Sequence, residues 1–338
     1  MRRAASVTIV IAAAVLALAP LPPDTIERWY SQGVYPHLQR IVTRLSNPVP
    51  FSLFDVLWVS AVAASAVLIR RSIARLGWMR GALHTFATLI VAAAVLYVAF
   101  LLAWGFNYRR VPMIDKVAFD PDRITTTARR ELAIRTVAEL NRLYAPAHER
   151  PASLTVLAGA FHDAQAALGE RIPIVPGTPK ATLLGGYFHA ASIAGMTDPF
   201  FLEITLAPDL IDVERPFVIA HEWGHLAGYA DESEASFLAW LACMRGDEAS
   251  QYSAWLALLG HVGPIPREPA LAPGPRLDIV TIQTRYRHTN ELLRFAASQS
   301  YDKYLKANRV SAGIRSYDGV LQLILGTNFD RGWTPRLK

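Results

Sequence analysis

The sequence has a single cysteine, Cys243, in 338 residues, which excludes an intrachain disulfide and any cysteine-based zinc cluster. Set in an apolar helical run, that thiol reads as a small buried side chain. Charge is scarce too. Only 18% of residues are charged and 52% are hydrophobic, which excludes a disordered or acidic solvating chain. Residues 1–110 lack lysine altogether and hold three acids (Asp24, Glu27 and Asp55) against eleven arginines, a net +8. Residues 111–338 hold 23 basic and 25 acidic groups, a net −2. The overall +6 therefore belongs to the apolar third, and it reads as a membrane-topology signal with no nucleic-acid partner implied. Repeats and low-complexity tracts are absent.

Three apolar runs are present, at about 4–21, 51–69 and 85–104, each near the ~20 residues that cross a ~30 Å hydrocarbon core. The connection between the second and third holds Arg70, Arg71, Arg75 and Arg80 and no acid. With Arg2 and Arg3, it marks the cytoplasmic side by the positive-inside rule. The loop expected at about 23–50 and everything after Trp104 then lie outside. Ala17-Leu18-Ala19 looks like a signal-peptide cleavage site, whereas Pro20 directly after it favours an uncleaved anchor. Asp55, near the outer end of the second run, is expected to reach the interface without a proton-relay role.

Residues 111–338 read as a helix-rich α+β domain. A capped amphipathic helix is expected over 125–144, and the end of a second before Gly169. Residues 172–180 form a proline-rich connector, and Phe200–Leu206 has strand composition. Pro216 opens a helix that runs to Gly228. An irregular loop over 262–276 is followed by helix over 277–306 and again over 317–325.

His221-Glu222-Trp223-Gly224-His225 fits H-E-x-x-H. On a helix, histidines four apart project from one face and can hold one metal ion. Glu222, about 100° further round, stands where a general base would take a proton from an activated water. A catalytic zinc needs a third protein ligand, and Asp231, Glu232 and Glu234 compete for that place. Asp231-x-x-Glu234 is also a capping box, and if those two cap the following helix, Glu232 is the acid left for metal. Tyr187, His189, Arg315 and Tyr317 are available to stabilise charge on a substrate carbonyl, but none has a spacing that singles it out. The strand at Phe200–Leu206 is expected to line the cleft and to pair with an extended substrate, or simply to be sheet core. His162, His261 and His288 show no ligand spacing.

His221–His225 followed by Glu232-Ser233-Glu234-Ala235 resembles the H-E-x-x-H plus E-x-x-A signature of gluzincin-type metallopeptidases. Nearly the whole chain is similar to an uncharacterised bacterial family of membrane-anchored zinc metallopeptidases. The resemblance is carried by Pro50-Phe51-Ser52, Trp104-Gly105-Phe106-Asn107-Tyr108, Pro199-Phe200-x-x-Glu203, Pro216-Phe217-x-x-Ala220 and Tyr301-Asp302-x-Tyr304-Leu305. It implies three N-terminal transmembrane helices followed by a zincin-like domain in the bacterial inner membrane, with one zinc ion on His221, His225 and Glu232. It also implies Glu222 as catalytic base, and peptide or protein substrates outside the cytoplasm. Ser236 departs from the family's usual Asn, which leaves open what orients a zinc histidine. The competing reading is a catalytically silent, membrane-anchored binding or scaffold protein on the same fold.

Overall fold

The computed structural model describes residues 2–287, 290–307 and 319–338. His288, Arg315 and Tyr317 lie outside the described residues, as does the start of the helix expected at 317–325.

The first apolar run forms helix α1 (Arg2–Leu18). It stops short of the expected position 21 because Pro20, Pro22 and Pro23 cannot continue it. Arg109 closes its end, donating to the carbonyls of Leu16 and Ala17 at 2.9 Å and of Ala19 at 3.3 Å. The second and third runs give α3 (Leu53–Leu76) and α4 (Trp78–Ala103), both long and apolar enough to cross a membrane. Ser52 caps α3 by accepting from the Asp55 amide, and α3 packs along α4. A third span exists only if α1 counts together with the helix after it, across a bend of 112°.

That following segment corrects the expected loop. Residues Pro23–Ser46 are helical (α2), with a π-helical stretch at Glu27–Val34. The helix lies on the globular part. Tyr35, Gln39 and Thr43 are fully buried, with Gln39 bonded to the Val175 carbonyl and Thr43 to that of Leu202. The periodic burial of one face is what a loop reading of 23–50 missed.

The globular part is built on helices. α5 (Thr126–Glu149) is capped by Thr125 and buries Leu132, Val137, Leu140 and Leu143. α6 (Leu154–Ala167) is capped by Ser153, and the chain turns at Gly169 with φ +76°. Next come β1 (Pro179–Lys180), α7 (Gly185–Ala191), β2 (Gly195–Thr197) and β3 (Ile204–Leu206). The sheet order is β1-β3-β2, with β1 parallel and β2 antiparallel to β3. The expected seven-residue strand shrinks to three, because the Asp198 carboxylate accepts the Phe200 and Phe201 amides and holds that stretch in a turn.

Helices α8 (Arg215–Leu226), α9 (Glu232–Cys243) and α10 (Glu248–Leu259) follow. α9 is the axis of the core, buried from Glu234 through Cys243 and packed against α6, α8 and the later α13. The helix expected over 277–306 divides into α11 (Pro273–Arg287) and α12 (Glu291–Ala307), and α13 spans Gly319–Gly326. β4 (Phe329–Asp330) and β5 (Thr334–Pro335) pair as a short ribbon. There Phe329 and Trp333 pack against Trp240 of α9.

Buried ion pairs stand where this body meets the apolar helices. Lys180 and Glu203 form a fully buried pair at 2.6 Å, and Glu203 also accepts from Ser52 Oγ and the Phe54 amide at the start of α3. Beyond α4 and the 3-10 turn Gly105–Arg109 that follows it, Arg110 bonds Glu27 and Glu170.

Candidate metal centre

Pro216 stands in the first turn of α8, where its missing N–H costs nothing and its fixed φ favours the helix. Four residues apart on that helix, His221 and His225 turn their Nε2 atoms toward each other at 3.1 Å. Glu232 Oε2, from the start of α9, lies 3.1 Å from His221 Nε2 and 3.4 Å from His225 Nε2. Among the described residues these three form the group of side chains able to hold a metal ion.

Two glycines permit this meeting. Gly228, with φ +82°, turns the chain between α8 and α9. Gly224 lets the helices touch, since a Cβ there would come within 2.9 Å of the Ala235 Cα.

The hydrogen bonds behind the triangle set its chemistry. His225 Nδ1 meets the Tyr229 carbonyl at 2.8 Å. A carbonyl only accepts, so Nδ1 carries a proton and Nε2 is the atom turned toward the triangle. His221 Nδ1 meets Ser236 Oγ at 3.1 Å, so Ser236 orients this ring. Burial alone would lower the His225 pKa, but the Glu232 carboxylate outweighs it and raises it to about 9. Burial works against ionising Glu232 as well, and the two histidines overcome it, holding the carboxyl well below the usual range. The pocket thus attracts positive charge. Ligands 2.0–2.1 Å from a tetrahedral zinc stand about 3.3–3.4 Å apart, which the observed separations approach, so the donor set fits such an ion.

Glu222 stands beside the triangle, 4% exposed. Thr197 Oγ1 donates to its Oε2 at 2.8 Å. Gly195 passes so close that a Cβ would lie 2.7 Å from Oε1. Burial raises the Glu222 pKa despite the nearby histidines and the Thr197 hydrogen bond. Sequence reasoning missed Thr197 and Gly195. The one available signal was a glycine within a short strand, which marks close approach of the backbone to another group.

The other two acids go elsewhere. Asp231 caps α9, accepting from the Ser233 and Glu234 amides. Glu234 does not complete the expected capping box: its Oε1 accepts from the Met113 amide at 2.6 Å. His189 bonds Asp209 at 2.6 Å, His162 meets the Ile174 carbonyl, and Tyr187 is exposed at the surface.

The last carbonyls of α8 receive three donors from outside the helix. Trp104 Nε1 donates to His225 O at 2.8 Å, Tyr35 Oη to Leu226 O at 2.7 Å, and Arg110 Nη1 to Ala227 O at 3.2 Å. The Arg110 guanidinium also lies over the Tyr229 ring, 4.1 Å from its centre.

Over residues 30–325 the chain matches the model of a family described as "Protein of unknown function (DUF3810)", and it belongs to that family. No curated protein and no solved structure is detectably similar to it.

Proposed function

We propose that the protein is a membrane-anchored, zinc-dependent metallopeptidase with a zincin-like catalytic domain on the extracytoplasmic face of the bacterial inner membrane. The observation that carries this reading is the triangle of His221 Nε2, His225 Nε2 and Glu232 Oε2 with the Glu222 carboxylate beside it. A closed structural site uses four protein ligands, whereas three leave a position for water or substrate.

Zinc held by His221, His225 and Glu232 would supply Lewis acidity to a water molecule and to a peptide carbonyl. Glu222 is the base that takes the proton of the attacking water and passes it to the leaving nitrogen. Burial raises its pKa, which makes it a stronger base toward the proton of the attacking water. Thr197 fixes the carboxylate, and Ser236 and the Tyr229 carbonyl fix the two rings.

Pairing of substrate with the strand at 204–206 is ruled out, because β3 is bonded on both sides. The strand suited to bind an extended peptide is β2, the sheet edge beside Glu222. The test is hydrolysis of a mixed peptide library by the detergent-solubilised full chain and its Glu222→Gln variant. Turnover lost in the variant with zinc retained supports the peptidase; an inert, zinc-loaded wild type would instead favour the silent binding protein.

A further inference from the structure

We propose that the loop at 181–184 is a membrane-docking element of the globular part. It sits within the hydrocarbon layer against the first turns of α3, and the groove formed there is filled by acyl chains of the bilayer lipid.

The argument starts from the length of α3. From Leu53 to Ile69, the last residue before Arg70, the chain has 17 residues. At 1.5 Å per residue these span about 25 Å, already short of a ~30 Å hydrocarbon core. The helix therefore has no turns to spare at its non-basic end, and Asp55, Val56 and Val59 lie inside the apolar layer.

The globular part reaches down to that level. Asp55 accepts the Leu183 amide on Oδ2 at 2.7 Å and the Thr182 hydroxyl on Oδ1 at 2.8 Å. Thr182 Oγ1 in turn accepts the Leu184 amide at 3.0 Å, and Trp58 Nε1 donates to Asp55 at 3.2 Å. An ionisable residue in an apolar span is costly unless paired, and loop backbone at membrane depth must have its polar groups satisfied. The Asp55 carboxylate meets both demands at once. It is 6% exposed, with its lone pairs spent on the loop.

What remains on the outside is apolar. Pro50, Phe51, Asp55, Val56, Val59 and Leu183 are among the residues that line a groove of about 490 Å³. Leu183 is 75% exposed. In water such a surface would be an unprotected patch. Here it is continuous with the outward face of α3, where Val62 and Val67 are likewise exposed. That continuity identifies the occupant as lipid: the same layer that covers the span covers the groove.

The test uses the full chain in vesicles of phosphatidylcholine with a minor share of phosphatidylglycerol. A nitroxide is placed on Leu183→Cys; the native Cys243 is fully buried and so does not compete for label. Collision with oxygen exceeding collision with a water-soluble nickel chelate, as at Val62→Cys, is the expected result. Val156→Cys on α6, exposed on the globular part, should show the reverse order. Ala181→Cys, also exposed, gives the same reading if the Leu183 variant does not assemble. Nickel-chelate access at 181 or 183 equal to that at 156 would overturn the proposal. The labels report on depth alone, so either result leaves the peptidase reading untouched.

Discussion

The indole N–H of Trp104, the residue at which the last apolar helix ends, donates to the main-chain carbonyl of His225 at 2.8 Å. Helices leave their final carbonyls without intrahelical partners. In α8 those groups are met by Trp104, Tyr35 and Arg110, all from the membrane-proximal third. Trp104→Phe keeps the ring and removes one of the two donors to that carbonyl, which retains the Gly228 amide at 2.9 Å, at a cost of about 0.5–1.5 kcal/mol. Zinc affinity should fall by about tenfold, the lower end of what loss of an outer hydrogen bond does to a metal site. Chelator competition on the detergent-solubilised chain measures it, and unchanged affinity would remove Trp104 from the support of the centre.

Gly224 sets the distance between the two helices that carry His221, His225 and Glu232. In Gly224→Ala the new methyl would lie 2.9 Å from the Ala235 Cα. Backbone cannot yield as a side chain tip can, so α8 and α9 must separate. Overpacking of this kind costs about 1–3 kcal/mol. Zinc content should drop more than the melting temperature suggests, because Glu232 moves away with α9. Full zinc occupancy in the variant would show that the helix spacing is not critical.

Lys180 and Glu203 are both fully buried. Removing one partner leaves an uncompensated charge in the interior, a loss of about 3–5 kcal/mol. Lys180→Met should therefore lower the melting temperature sharply. The double variant Lys180→Met with Glu203→Gln should recover a large part of the loss, since the amide oxygen can still accept from Ser52 and the Phe54 amide. Equal instability of the single and double variants would argue that the pair acts through packing alone.

Burial raises the Asp198 pKa to about 7 against the hydrogen bonds from Phe200 and Phe201. The folded protein then binds that proton more tightly than the unfolded chain, whose ordinary value is 3.8. The stabilisation is complete below pH ~4 and is lost as pH rises through ~7, in total on the order of 4 kcal/mol. Melting temperatures between pH 4 and 8 should fall more steeply for the wild type than for Asp198→Asn. Parallel profiles would contradict this assignment.

The parts of the site legible in the sequence are the local ones. A four-residue histidine spacing becomes a shared helix face without help from the rest of the chain. Glu232 could be singled out only by giving Asp231 and Glu234 to capping, and Glu234 reaches its actual partner, the Met113 amide, far back in the chain. Thr197 escaped notice because a three-residue strand has too little pattern to declare itself. Tyr35, Trp104 and Arg110 meet α8 across more than a hundred residues, and no local periodicity records such contacts. The helix at Pro23–Ser46 was hidden differently: its buried face carries Tyr35, Gln39 and Thr43, a polar stripe that satisfies carbonyls of the globular part.

The central claim is that this triangle is a metal centre, and zinc content across the three acids tests it most directly. Purified full-length wild type should hold one zinc per chain. Asp231→Ala should keep it while losing about 1 kcal/mol of helix capping, Glu234→Gln should keep it too, and Glu232→Ala should lose most of it. Zinc retained at full stoichiometry in Glu232→Ala, or absent from the wild type after purification in zinc-containing buffer, would contradict the assignment.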